Sequence, residues 1–224
     1  MARTELTMVT LIDLFHKMED GGISAPAYTR AFVWNKSRIV DLLESIYQGY
    51  PIGTILVVEG IPDQFETADV NLSRFPRLKE TQYDRYSTLW VIDGLQRLIA
   101  LYGSLKGDYT DMEVYFDLRQ DRFLQKTRAV SDDSVVKMSS LFDYVKFMGL
   151  QEKFFQSEHS ADLVGSLNQL HRAFIEYQIP LQVVRDVDMN EAVNVFARLN
   201  KSGLALSRQE IERAKNQPDP KKPS

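Results

Sequence analysis

The chain has 224 residues, 44% of them hydrophobic and 26% charged, and a formal net charge of -4. That balance is ordinary for a globular protein, and its acidic sign argues against a protein that coats nucleic acid by charge alone. The complete lack of cysteine excludes disulfides, thiolate zinc sites and cysteine nucleophiles.

The first predicted element is a helix over residues 8–17, with Leu11, Ile12, Leu14, Phe15 and Met18 on one face and Gly21-Gly22 ending it. A segment from Pro26 to Trp34 precedes a second helix, 36–48. Its stripe is Ile39, Leu42, Leu43, Ile46 and Tyr47, and Asn35 is its N-cap. Gly49-Tyr50-Pro51-Ile52-Gly53 ends that helix, and a β-branched strand follows at 55–58. Residues 60–88 are polar, carry Pro62 and Pro76, and read as a long excursion between two core strands.

Residues 89–101, LWVIDGLQRLIAL, hold the strongest local signal. The apolar run 89–92 reads as a buried strand that stops at Asp93-Gly94. Gln96 and Arg97 then open a helix whose apolar face is Leu98, Ile99 and Leu101. A strand, a tight break and a helix with a cation in its first turn make an anion pocket. Helix N–H groups and the dipole point at the ligand, Gly94 admits a close backbone approach, and Arg97 adds a bidentate clamp. The plain alternative is a strand-to-helix turn with a solvated arginine.

Beyond this turn, residues 113–118 and 122–128 read as a hairpin joined by Arg119-Gln120-Asp121. Arg119, Arg122, Lys126 and Arg128 are read as the solvated face of that ribbon. Residues 138–177 are mostly helical, with Leu163, Leu167, Leu170 and Phe174 at helical spacing, and 179–184 is a last strand. Asp188 to Glu191 and Ser207 to Glu210 carry capping signatures. Residues 1–215 are expected to form one domain and 216–224, polar and proline-rich, a linker or tail.

Absences narrow the chemistry. There is no G-x-x-x-x-G-K-[ST] loop and no G-x-G-x-x-G. His16, His159 and His171 have no metal-ligand spacing, so a histidine-metal nuclease is not expected in this chain. No run approaches the ~18 apolar residues of a membrane helix, and Thr4, Glu5 and Asp13 interrupt any signal-peptide pattern. A cytoplasmic protein without a membrane partner is expected.

Four segments occur in a telling order. They are Tyr28-x-Arg30-x-Phe32-x-Trp34, Gly49-x-Pro51-Ile52-Gly53, Ile92-Asp93-Gly94-x-Gln96-Arg97, and Phe196-x-x-Leu199-Asn200-x-x-Gly203-x-x-Leu206. Together they resemble the N-terminal domain of GmrSD-type restriction enzymes, within the ParB/sulfiredoxin-like superfamily, over roughly residues 25 to 212. The resemblance implies an α/β (α+β) fold, with a small mixed sheet, surrounding helices and a helical C-terminal part.

The resemblance also implies nucleoside triphosphate binding and hydrolysis that regulates a DNA-cleaving partner, in an anti-phage system acting on modified DNA. Carried over by position, Asp93, Gly94, Gln96 and Arg97 form the core of the site. Asp93, Gln96 and Arg97 are the catalytic candidates and Asp93 the ligand of a Mg²⁺ ion. Tyr28, Arg30, Asn200 and Gly203 join the nucleotide-binding set. Trp34 reads as a packing anchor, and Asp93 has a plain reading as a helix N-cap.

Two positions depart from the family pattern. Leu95 stands where many relatives carry a polar glutamine, and Thr29 where glutamine is common. If Leu95 replaces a water-positioning amide, Leu95→Gln raises turnover; if it packs in the core, the same change destabilises the fold. Arg97→Ala is expected to weaken triphosphate binding while the fold survives. The nuclease is expected in a domain or subunit outside this chain, and an oligomer is open. The alternative function is a ParB-like nucleotide-gated DNA-binding module without significant hydrolysis.

Overall fold

The computed structural model describes residues 2–26, 31–60, 88–107, 109–124, 133–157 and 160–187, together with Glu191. Tyr28, Arg30, Lys126, Arg128, His159, Asn200, Gly203, both C-terminal capping signatures apart from Glu191, and the tail 216–224 lie outside the described residues. So does the excursion 61–87.

The chain opens on a strand that the apolar spacing does not announce. Strand β1, Arg3–Thr10, is exposed along most of its length. It exists because it pairs antiparallel with β8, Gln178–Arg185, from Arg3↔Arg185 to Thr10↔Gln178. Backbone pairing rather than burial defines it, so the first helix starts later than its periodicity predicts. That helix, α1, is Leu11–Glu19, and Thr10 caps it by accepting the Asp13 amide at 3.1 Å. Its buried face is Leu11, Leu14, Phe15 and Met18, as the spacing predicts. The short strand β2, Ile23–Ser24, follows.

Helix α2, Lys36–Tyr47, is capped by Asn35, whose Oδ1 accepts the Arg38 amide at 3.0 Å. Strands β3, Ile55–Gly60, and β4, Thr88–Asp93, lead into helix α3, Leu95–Leu105. The main sheet has the order β1-β8-β3-β4-β2. It is mixed: β1/β8 and β3/β4 run antiparallel, β3/β8 and β2/β4 parallel. The helices and this sheet make the α/β class that was expected.

One sheet face joins the helical core. Val57, Val91, Leu181 and Val183 belong to the same buried cluster as Leu14, Ile39, Leu43 and Leu98. The alternate residues Val58, Trp90 and Ile92 are buried as well, which is why β3 and β4 read as continuous apolar runs rather than alternating ones.

The expected hairpin supplies two strands of a three-stranded sheet. Strand β5, Tyr115–Asp117, lies between β6, Arg122–Leu124, and β7, Val135–Lys137. Three-residue strands leave too little periodicity for β7 to show in sequence. Asp117 organises the β5–β6 turn. Its Oδ1 accepts from the amides of Arg119 at 3.0 Å and Gln120 at 3.1 Å and from Ser134 Oγ at 3.2 Å. Arg119 and Arg122 are exposed, consistent with the solvated-ribbon reading. A 3-10 turn, Met138–Phe142, precedes helices α4, Tyr144–Phe155, and α5, Ser160–Ile175. Leu163, Leu167, Leu170 and Phe174 form the buried stripe of α5. Among the described residues no helix is long and apolar enough to cross a membrane.

Candidate functional site at the start of α3

The β4–α3 turn is shaped by its backbone. The β3–β4 pairing runs Leu56↔Asp93 and then Val57↔Val91, a register shift that leaves Ile92 out of the ladder. Such a bulge re-aims the end of a strand, here the residues immediately before the turn. Gly94 follows with φ of +93° and is the N-cap of α3. A Cβ at this position would stand 2.5 Å from Ile55 Cδ1. Left-handed backbone and close packing therefore both require glycine. Asp93 thus ends β4 and is not the N-cap. Among the described residues no side chain makes a capping hydrogen bond there, which leaves the first-turn amides of α3 open to an anion. The Asp93 side chain is 55% exposed.

Arg97 points back, not outward. Its Nη1 donates to the Ile52 carbonyl at 2.7 Å and its Nη2 to the Thr54 carbonyl at 3.0 Å. Nη2 also lies 3.4 Å from Asp93 Oδ2. Burial pulls the Arg97 pKa down and the Asp93 carboxylate pushes it back up; the group stays a cation at neutral pH. A Cβ on Gly53, whose φ is +84°, would stand 2.6 Å from Nη1. The second glycine of the Gly49–Gly53 segment is therefore small because the guanidinium lies against it. Since Arg97 holds two backbone carbonyls, the expectation that Arg97→Ala spares the fold is replaced by one of reduced stability.

Gln96 performs the matching task on the other side. It is 9% exposed. Its Oε1 accepts the Val33 amide at 2.9 Å and its Nε2 donates to the Ala31 carbonyl at 3.0 Å. One amide side chain thus grips the backbone on either side of Phe32, just before Trp34. Trp34 packs on the core and lies under the Arg38 guanidinium, 5.8 Å from its ring centroid, in agreement with its reading as an anchor. The adjacent residues Gln96 and Arg97 therefore staple two of the sequence segments to a third.

Tyr177, which the sequence reading missed, completes the loop's support. Its hydroxyl donates to the Tyr50 carbonyl at 2.7 Å and accepts the Ile52 amide at 3.2 Å. The Ile52 peptide is held on its N–H side by Tyr177 and on its carbonyl side by Arg97. Nothing in the spacing around Tyr177, a residue between a helix and a strand, marks it for this role.

Leu95 is 8% exposed and belongs to the core cluster. It is a packing residue. Leu95→Gln buries an amide in hydrocarbon and is expected to reduce stability by about 1–3 kcal/mol. A thermal melt checks this, together with a turnover assay in which triphosphate hydrolysis gains nothing.

Three of the four sequence segments thus converge in space: residues 31–34, 50–54 and 93–97. The site they define is an uncapped helix start beside an exposed carboxylate, fenced by two stapled stretches of backbone, on an α/β domain. The family described as GmrSD restriction endonuclease, N-terminal domain, matches residues 11–216, nearly the whole chain, and the chain belongs to that family. It is also 24% identical over 229 residues to the uncharacterized protein MJ0686 of Methanocaldococcus jannaschii, covering 88% of this chain and 39% of that one. The chain therefore spans about two fifths of the length of the curated relative it matches.

Proposed function

We propose that this chain is the nucleoside triphosphate-binding regulatory domain of a restriction system, with the triphosphate at the start of α3. The observation that carries this reading is the turn at Asp93-Gly94, where an uncapped helix start directly follows an exposed carboxylate. The amides and the helix dipole meet phosphate oxygens. The Arg97 cation lies behind the turn and adds positive potential without leaving its carbonyls. The single carboxylate of Asp93 fits Mg²⁺, which is commonly held by one or two carboxylates plus substrate phosphates and water. Asp93 would hold the ion, and the ion would neutralise phosphate charge.

The same geometry favours a gate over a fast hydrolase. Gln96 and Arg97, the two groups expected to act on water and phosphate, are committed to backbone partners. A ligand settling on the first turn of α3 shifts the staples, and through them residues 31–34 and 50–54. This is the nucleotide-gated reading, with DNA, in modified form, as the signal and a nuclease domain or subunit outside this chain as the responder. Turnover in the isolated chain is then slow. Such a module works in the cytoplasm, where triphosphates and invading DNA meet.

Calorimetric titration with each of the four ribonucleoside triphosphates, with and without Mg²⁺, tests the proposal. One of them is expected to bind only with the ion present, and Asp93→Asn is expected to weaken it by about tenfold or more with no change in melting temperature. No binding by any of the four, or full affinity in Asp93→Asn, contradicts it. A second expected result is that the purified chain leaves plain and modified plasmid uncut in Mg²⁺. Nicking that co-purifies with the protein and vanishes in Asp93→Ala would place the nuclease here instead.

A further inference from the structure

A recess lies at the far end of α3 from Asp93. Helix α3 has 11 residues, so about 16 Å of helix separates the two. The recess encloses about 350 Å³ between α1, α4, α5 and the 3-10 turn, within the size range of small-molecule sites. Its floor is hydrocarbon. Phe15 and Leu141 are 1% and 2% exposed, and Phe147 and Ile175 wall it. Among the described residues, and apart from the Tyr144 hydroxyl, the polar side chains that line it are His16, Lys106 and His171, with no carboxylate.

His171 is a fixed wall. Its ring stacks on Phe147, with centroids 3.9 Å apart and planes 20° apart, and bonds to the Leu141 backbone. Burial pulls its pKa down, so it meets a ligand as neutral imidazole at pH 7. Lys106 is the cation of the recess. Its ammonium is 3.9 Å from Glu19 Oε1, a loose pair. Glu19 also accepts the Tyr102 hydroxyl at 3.2 Å, so it keeps a partner when Lys106 turns to another anion.

We propose that this recess binds a small aromatic monoanion, its ring on the Phe15 and Phe147 walls and its anionic group on Lys106 and His16. Lys106, only loosely paired with Glu19, gains a charge-assisted partner from an anionic occupant and nothing from a neutral one. The described lining carries no carboxylate of its own, and Glu19, beside Lys106, is held by the Tyr102 hydroxyl. Aromatic walls favour a flat ring through edge and offset contacts.

The test is a fluorescence titration of the intact chain with two probes, the aromatic monoanion anilinonaphthalene sulfonate and its neutral relative phenylnaphthylamine. One sulfonate per chain is expected to bind. Ile175→Trp fills the recess and is expected to lower the affinity for both probes by about tenfold or more. Ile12→Phe is a second filling variant should the first melt early. Lys106→Met is expected to weaken the sulfonate several-fold and leave the neutral probe unchanged. Phe155→Ser, on the exposed face of α4, is expected to change neither. Undiminished binding in both filled variants, equal loss of both probes in Lys106→Met, or loss in Phe155→Ser overturns the proposal.

Discussion

Arg97→Ala is expected to lower stability and to abolish triphosphate binding together. The side chain is 17% exposed and carries two charge-assisted hydrogen bonds, to Ile52 and Thr54. Their removal leaves two carbonyls of the 50–54 loop without partners, at about 3 kcal/mol or more in total. For a domain of this size that is roughly a 6–12 °C fall in melting temperature. Binding falls with it because the loop that fences the site loses its carbonyl-side anchor and keeps the Tyr177 contact on its N–H side. Arg97→Lys separates charge from shape. Lysine keeps the cation but cannot present the rigid fork that spans both carbonyls, so it too is expected to melt early. A lysine variant with the parent's stability and affinity would mean that charge alone matters at this position.

Gly53→Ala is expected to be nearly as damaging, and by the same route. Its backbone is left-handed, which costs an L residue about 1–2 kcal/mol, and its Cβ would stand 2.6 Å from Arg97 Nη1. The guanidinium must move, and its bond to Ile52 lengthens or breaks. The total is about 2–4 kcal/mol. Because both substitutions act on one contact, the double variant is expected to be more stable than the sum of the single losses implies. A denaturant double-mutant cycle reads the coupling, expected at about 1 kcal/mol or more. Strict additivity would show that Gly53 serves only its own backbone and has no bearing on Arg97.

What the sequence shows depends on whether the controlling interaction is local. Helices α2 and α5 have buried stripes at helical spacing, and α2 has an asparagine cap that bonds three residues on; both are readable in one dimension. The break at Asp93-Gly94 is readable for the same reason. Strand β1 is not, because an exposed strand takes its order from a partner some 180 residues away, as in Glu5↔Val183. Strand β7 is too short for any period.

At the candidate site, the four segments are legible in the sequence, and the structure brings three of them together. The tasks of the side chains differ from those assigned by chemistry alone. A glutamine and an arginine in a helix's first turn look like ligand-binding groups. Whether they reach outward or back depends on which carbonyls lie within hydrogen-bond range, and those belong to loops more than 40 residues upstream, Ile52 and Ala31 among them. Tyr177 escapes notice for the same reason: its partners, Tyr50 and Ile52, are more than 120 residues away. Leu95 is the converse case. Its apolar character looks like a lost catalytic amide beside the family pattern, whereas its burial shows a residue kept for packing.

Amide hydrogen exchange with and without Mg²⁺-triphosphate is the most direct test that the start of α3 is the ligand site. Slowed exchange is expected in the first-turn amides of α3, residues 95–97, and, through the staples, in residues 31–35 and at Ile52. Asp93→Asn is expected to remove this protection while leaving the sheet amides of β3 and β8 as they are. Protection confined to other parts of the chain, with the α3 turn exchanging at the same rate whether or not a bound triphosphate is present, would contradict it.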